Sequence, residues 1–199
     1  MFKVRDLLTL SSVPRIGPHK IRALITHFND PSAILKASPR DLIRVPGIDK
    51  KLASNIVHNK GGEKFADEQL KQLNRIGGRI LTIWDSEYPD LLKKTYDPPA
   101  LLYMLGHFTS NDKSSIAIVG TRHPSLYGQT TTEIFVRELA ELGLTVVSGL
   151  ARGIDTQAHQ TALKSKGRTI AVIGSGLDVP YPPENRKLLE AIAEQGAVV

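Results

Sequence analysis

The chain has 199 residues, of which 41% are hydrophobic and 23% charged, a composition typical of globular domains that excludes disorder as the main state. No apolar stretch approaches the roughly 20 residues that cross a bilayer, and the absence of cysteine excludes disulfides and thiolate metal sites and fits a cytoplasmic protein. The net charge is +6, and the first 60 residues hold 11 Lys and Arg against 4 Asp and Glu. This basic segment favours nucleic acid as a partner, and a surface that only keeps the protein soluble is the alternative. A membrane partner is not indicated, because the sequence lacks a long cationic amphipathic helix.

Residues 1–76 are predicted to form a small helical domain, because their apolar residues recur at helical spacing. Asp30-Pro31 and Ser38-Pro39 are typical of helix starts, with a capping side chain before a proline at the first helical position.

Two segments of this domain resemble each other, about 31 residues apart: VPRIGPHK begins at Val13 and VPGIDKK begins at Val45. Both resemble the helix-hairpin-helix module, in which a glycine turn lets backbone N–H groups approach a phosphate. Arg15 and Asp49 replace glycines that are usual in this turn. The repeat therefore leaves two hypotheses open, which are contact with DNA and a role in packing or protein contact.

Residues 77–199 are predicted to form an α/β domain in which strands alternate with helices. A parallel, doubly wound sheet is the architecture that this alternation favours. The pattern predicts strands over 79–84, 101–105, 116–119, 145–148 and 169–173, helices over 130–142, 156–166 and 184–194, and the start of a strand at 197–199. Because the chain stops where such a domain would continue, we expect it to be a fragment.

Glycine turns follow three of these strands: Gly120-Thr121-Arg122, then 148–153, then 174–176. In an open parallel sheet, ligands bind at the carboxyl ends of the strands, where backbone N–H groups attract anions. The pattern predicts a phosphate site, to which Arg122 and Arg152 would add charged contacts unless they form surface ion pairs.

The sequence gives no specific signal for a nucleotide enzyme: the phosphate loop of NTPases is missing, and the turn at 174–176 lacks the third glycine of the dinucleotide fingerprint. Asp155 and His159, four residues apart on a predicted helix, suit a metal pair or an acid/base pair, but a helix cap and a packed histidine explain them more simply. A triad with Ser148 is disfavoured because no nucleophile elbow is present. We predict no catalytic residue, metal or cofactor.

Several longer stretches resemble the DNA-processing protein A (DprA/Smf) family, and they cover about residues 80–199 in the family's order. They are YPDLL (88–92), DPPALLY (97–103) with Gly106, IVGTR (118–122), SGLARGIDTQAHQTAL (148–163) and GSGLDVPYPPEN (174–185). The resemblance implies an extended Rossmann-like domain preceded by a helical domain. It also implies a non-enzymatic protein of natural transformation and recombination, which binds single-stranded DNA and helps load the RecA recombinase.

The resemblance also implies which residues bind DNA. The family's basic pocket has an arginine that matches Arg122 and a second cation that falls on Arg168, which we expect on the same face of the sheet as Arg122. With the neighbouring turn residues, the predicted DNA-binding set is Gly120, Thr121, Arg122, Ser148, Gly149, Arg152, Arg168, Gly174 and Ser175.

The resemblance also bears on self-association. The family dimerises through a later part of its sheet, so this chain is expected to be monomeric or weakly associating, with apolar surface exposed.

Two other functions stay open. The alternative function is a Rossmann-like hydrolase of nucleotide-sugar bonds, whose Pro-Gly-Gly-x-Gly-Thr turn does not occur in these 199 residues. A plain protein-interaction scaffold is the third possibility.

Overall fold

The computed structural model describes residues 3–199; Met1 and Phe2, which begin the predicted helical domain, lie outside the described residues. The chain divides into two compact units. The helical unit contains the chain up to Ile76 with Ile80–Ser86 and Leu92–Leu102, and the α/β unit contains Gly77–Arg79, Glu87–Leu91 and Tyr103–Val199. Two segments that the sequence assigns to the second domain therefore cluster with the helices.

Side-chain contacts explain why the segment 92–102 belongs with the helices. Ala100 is buried in the core of the helical unit. The Arg22 guanidinium donates to the Asp97 carboxylate at 2.7 Å and to the carbonyl oxygen of Pro98. The sequence pattern gave no sign of these contacts, because they join residues about 75 positions apart.

Six helices form most of the helical unit: α1 (Val4–Ser11), α2 (Pro18–Phe28), α3 (Pro31–Lys36), α4 (Pro39–Leu42), α5 (Lys50–Val57) and α6 (Gly62–Arg75). The predicted helix starts are confirmed, since the Asp30 side chain accepts from the N–H of Ser32 and the Ser38 side chain accepts from the N–H of Asp41. Helical periodicity also predicts the buried face, which includes Leu7, Leu24, Ile34, Leu42, Leu52 and Ile56.

The strands of the sheet are β1 (Arg79–Thr82), β2 (Leu101–Gly106), β3 (Ser115–Ala117), β4 (Thr145–Ser148), β5 (Thr169–Ala171) and β6 (Ala197–Val198). The helices between them are α7 (Asp90–Lys93), α8 (Leu126–Glu141), α9 (Ile154–Lys164) and α10 (Arg186–Gln195). The strand order is β1-β2-β6-β5-β4-β3; the strands β3 to β6 are parallel, and β2 is antiparallel to β6. The predicted Rossmann-like sheet is confirmed, although it is mixed rather than purely parallel.

The prediction of double winding is wrong for the described residues. Strands β3, β4, β5 and β6 follow one another across the sheet in chain order, so the three crossovers step in the same direction. Right-handed crossovers then place α8, α9 and α10 on the same face, and α9 does contact both α8 and α10. Double winding needs a reversal of strand order, and residues 115–198 contain none.

Apolar side chains are exposed on β3, the last strand in the sheet order, and on the outer face of α8. Ile116 on β3 is 39% exposed, Phe135 on α8 is 59% exposed, and Leu142, the C-cap residue directly after α8, is 76% exposed. The expected exposure of apolar surface is confirmed, whereas the weak self-association stays a prediction. Within residues 3–199, the helices are all too short or too polar to cross a bilayer.

Candidate nucleic-acid interface

The three glycine turns lie next to one another at the carboxyl edge of the sheet. They follow β3, β4 and β5, which are parallel neighbours, and adjacent strands are about 4.8 Å apart. The turn after β4 is tied to the turn after β3 by the Ile154 N–H, which donates to the Thr121 carbonyl oxygen at 3.2 Å. The chain therefore brings all three turns together at this edge.

Backbone donors at this edge are open. Within residues 3–199, no hydrogen-bond acceptor is found for the N–H groups of Gly120, Thr121 and Arg122, nor for those of Gly174, Ser175 and Gly176. The first group is solvent-exposed, and the second is exposed or half-buried. Helix α8 begins beside the first group, with Ser125 as its N-cap. Runs of N–H donors at a helix start are a common form of phosphate-binding site.

The glycines of the predicted set serve different purposes. A side chain at Gly120 would overlap Ile154, with contacts of 2.7–3.0 Å, so this glycine is needed for packing. The Gly149 N–H donates at 3.1 Å to the buried Asp155 carboxylate and is therefore already used. At Gly174, an added Cβ would meet no atom within 4 Å. Gly174 is the member of the set whose bare backbone leaves open space at the edge.

Sequence reasoning missed Gly153, which controls how closely two turns approach. Its φ is +81°, a left-handed conformation that side chains disfavour, and an added Cβ would lie 2.2 Å from the Thr121 carbonyl oxygen. Its place directly before α9 was the available signal. Gly153 thus lets the turn after β4 close on the turn after β3.

Arg122 is an exposed cation that has no partner among residues 3–199. Within the described chain, its guanidinium forms no ion pair or hydrogen bond. The N–H of His123 donates to the Thr121 hydroxyl at 3.2 Å, which orders the backbone beside it. A guanidinium with free donors, next to open N–H groups, suits a phosphate group.

Arg152 is placed at the same edge but is already paired. Its guanidinium lies 2.5 Å from the Glu184 carboxylate, and both side chains are about half exposed. The hydrogen bond from Arg152 is the main reason why the pKa of Glu184 is lowered. Of the two outcomes that the sequence left open for Arg152, the structure shows the surface ion pair.

The expected position of Arg168 is wrong. Arg168 comes directly before β5, so it lies at the amino edge of the sheet, opposite the glycine turns. Its guanidinium donates to the Asp112 carboxylate at 2.7 and 3.0 Å, to the Gln195 carbonyl oxygen at 2.8 Å and to the carbonyl oxygen of His107. The side chain is only 16% exposed. Arg168 therefore ties loops together and does not face the same ligand as Arg122.

Two serine hydroxyls add polar groups to the carboxyl edge. The Oγ atoms of Ser148 and Ser175 are buried, and neither has a hydrogen-bond partner within the described residues. Buried polar atoms without partners are uncommon. Two carboxylates also lie here, since Asp155 is held by the Gly149 N–H and Asp178 lies beside Gly176.

Asp155 and His159 do not form a catalytic or metal-binding pair. The Asp155 carboxylate accepts from the Gly149 N–H, while the His159 Nδ1 lies 2.7 Å from the Thr169 hydroxyl. Burial lowers the pKa of His159 to about 4, although a backbone group of Ser148 opposes this in part. Within residues 3–199 there is no cluster of three or more potential metal ligands. The simpler interpretation of both residues as structural is the one that the contacts favour.

The two hairpins of the helical unit differ at their helix starts. In the second hairpin, the Asp49 side chain accepts from the Leu52 N–H at 2.6 Å and so caps α5 itself. In the first hairpin, Gly17 precedes α2 and offers no side-chain cap. Arg15 and Asp49, which replace the usual glycines, lie 3.5 Å apart as an exposed ion pair. Asp49 thus occupies with its own carboxylate the N–H group that a phosphate would use.

The sheet, with its parallel strands β3 to β6 and the helices between them, defines a Rossmann-like α/β protein whose carboxyl edge is open and rich in glycine. Comparison with known proteins gives the family: the model of DNA recombination-mediator protein A matches residues 79–199, and that of a SAM-like helix-hairpin-helix tandem matches residues 7–58. The chain belongs to the DNA recombination-mediator protein A family, also called DprA or Smf. The predicted hairpin repeat is confirmed as well.

Individual relatives agree with this assignment. Protein Smf of Synechocystis is 37% identical over 96% of this chain and 49% of its own length, so the chain spans about half the length of that relative. The crystal structure of DprA from Streptococcus pneumoniae matches all of this chain and 67% of its own, with a TM-score of 0.77 and 29% identity. A structure of DprA from Helicobacter pylori, described as revealing a single-stranded DNA binding mode, matches 60% of this chain and 54% of its own, with a TM-score of 0.52 and 34% identity.

Proposed function

We propose that this chain binds the backbone of single-stranded DNA at the carboxyl edge of its sheet. The observation that carries the proposal is the combination of two runs of open N–H donors with the unpaired guanidinium of Arg122. Gly174, where nothing fills the space beside the backbone, and the unpartnered hydroxyls of Ser148 and Ser175 support it. Such contacts recognise phosphate without reading the base sequence.

The wider role that we propose is that of a non-enzymatic recombination mediator, which helps load RecA onto DNA in the cytoplasm during natural transformation. Membership of the family supports this role, and so does the single-stranded DNA binding stated for the relative from Helicobacter pylori. The described residues offer no observation that favours the hydrolase or the plain scaffold. Arg168 is not part of the proposed interface, because its guanidinium is bound to Asp112.

The test is a salt titration with single-stranded and duplex oligonucleotides of equal length. We expect tighter binding to single strands, and an affinity that falls steeply with salt. Arg122→Ala should weaken binding to single strands about 5- to 150-fold, the loss of about 1–3 kcal/mol typical for charged hydrogen bonds, and lower the salt slope by about 1.

Arg137→Ala is the matched control for Arg122→Ala. Arg137 is also exposed and without an ion pair within the described residues, but it lies about ten residues into α8, away from the edge. We expect this variant to bind like the wild type. Full affinity in a folded Arg122→Ala protein, or an equal loss in both variants, would contradict the proposed interface.

A further inference from the structure

Phosphate contacts alone do not explain a preference for single strands, because duplex DNA presents phosphates as well. A preference requires a group that touches bases, and unpaired bases stack on exposed aromatic side chains. An aromatic residue that contacts unpaired bases would distinguish single strands from duplex DNA, and this inference rests on the proposed function.

Tyr127 is an exposed aromatic side chain beside the proposed phosphate contacts. It is the second residue of α8, five positions after Arg122, and it is 80% exposed. Side chains of a helix point back towards its N-terminus, which directs Tyr127 towards the turn that carries Arg122. The adjacent Leu126, 79% exposed, extends the apolar surface at this point.

We propose that the ring of Tyr127 stacks on an unpaired base of the DNA strand whose phosphate is held by Arg122. An exposed tyrosine loses little conformational freedom on stacking, since only two torsions are restricted. A base inside a duplex is stacked on its neighbours and does not present its face to the ring. Tyr127 therefore supplies the discrimination between single and double strands that the phosphate contacts lack.

Other exposed aromatic residues fit this role less well. Phe135 lies on the same helix and is 59% exposed, but it is eight residues further on, about 12 Å from Tyr127 along the axis. Tyr181 is 58% exposed and follows β5, where the turn 172–182 contains Asp178 and no cation. Tyr96 is fully exposed but belongs to the helical unit. Of these four, Tyr127 is the residue that directly follows the turn carrying Arg122 and the open N–H groups of residues 120–122.

The experiment compares an oligothymidine with an abasic oligonucleotide of the same length, which keeps the phosphates and lacks the bases. The wild-type chain should bind the oligothymidine more tightly. Tyr127→Ala should reduce this affinity about 5- to 100-fold and leave the affinity for the abasic strand unchanged, whereas Tyr127→Phe should retain the difference. Tyr96→Ala and Phe135→Ala serve as controls, for an exposed tyrosine elsewhere and for the apolar face of α8.

The outcomes separate this inference from the function on which it rests. If Tyr127→Ala binds oligothymidine like the wild type while Arg122→Ala does not, base stacking by Tyr127 is wrong and the phosphate interface stands. An equal loss in Phe135→Ala also overturns the stacking role, because it indicates a general effect of the apolar face. If the wild type binds neither strand, both proposals fail. Thermal unfolding of each variant should be unchanged, since the substituted side chains are exposed.

Discussion

The carboxyl and amino edges of the parallel sheet each hold an arginine that the sequence assigns to DNA binding, and the two arginines lie in opposite settings. Arg122 is exposed and has no partner within the described residues, beside N–H groups that are equally open. Arg168 is largely buried and bound to Asp112 and to two backbone carbonyl groups. An arginine bound to a carboxylate and two carbonyl groups stabilises the fold, and one whose donors are free is available to a ligand.

The largest effect is expected at the amino edge, from Arg168→Ala. Asp112 is only 8% exposed; burial raises its pKa, but hydrogen bonds, from Arg168 above all, more than offset this and lower it. Removing Arg168 leaves a buried carboxylate unpaired, so the free energy of unfolding should fall by about 3–5 kcal/mol in urea titrations. Arg122→Ala should unfold like the wild type.

A double variant, Arg168→Ala with Asp112→Asn, controls for the unpaired charge. The asparagine is neutral, and its amide oxygen can still accept from the Thr109 N–H or the Thr145 hydroxyl, so part of the lost stability should be recovered. If Arg168→Ala kept its stability and instead lost affinity for single-stranded DNA, the structural role of Arg168 at the amino edge would be wrong.

The next largest effect concerns His159, whose Nδ1 contacts Thr169 at the amino end of β5. Burial lowers the pKa of His159 from 6.5 to about 4, so between these pH values the unfolded chain binds the extra proton. Stability is therefore present above pH 6.5 and falls by about 3 kcal/mol on acidification to pH 4. Urea titrations at several pH values measure this.

His159→Gln removes the titrating group and should flatten the dependence of stability on pH between 6.5 and 4, from a lower starting stability. An unchanged slope in this variant would show that other groups cause the acid sensitivity.

Gly120 and Gly174, both at the carboxyl edge, are expected to differ in whether a substitution affects stability or DNA binding. Gly120→Ala should lower the free energy of unfolding by about 1–3 kcal/mol, because its Cβ would overlap Ile154. Gly174→Ala has open space and should change stability by less than about 0.5 kcal/mol while weakening DNA binding. Unfolding and DNA titrations on the same samples measure both effects, and unchanged DNA affinity in Gly174→Ala would place the ligand away from the turn after β5.

The smallest effect is expected from Glu184→Gln, which releases Arg152 from its ion pair at the carboxyl edge. Because both side chains are about half exposed, stability should hardly change. A freed Arg152 should raise the affinity for single-stranded DNA by a few-fold at low salt. If the affinity for single-stranded DNA instead falls, the ion pair between Arg152 and Glu184 is needed to position the DNA-binding turns.

Much of the fold and part of the site could be predicted from local sequence. Strand and helix positions follow from apolar periodicity, and the placement of the glycine turns at one edge follows from the direction of parallel strands. The same rule places Arg168 at the opposite edge, since it directly precedes the predicted strand. The error arose because the family's DNA-binding role was transferred to Arg168, although its place before the strand already predicted the opposite edge.

The sequence by itself determined the elements and the turns of the hairpin repeat, because these depend on neighbours a few residues apart. It also determined that the glycine turns meet, because parallel strands end at the same edge of a sheet. The tertiary structure decided which charges remain available: Arg168 meets Asp112 across 56 positions and Arg152 meets Glu184 across 32. It also decided that Gly120 serves packing against Ile154 and that Gly174 borders open space. Pairing and packing of this kind depend on where distant segments lie, and residue type and local spacing do not specify that.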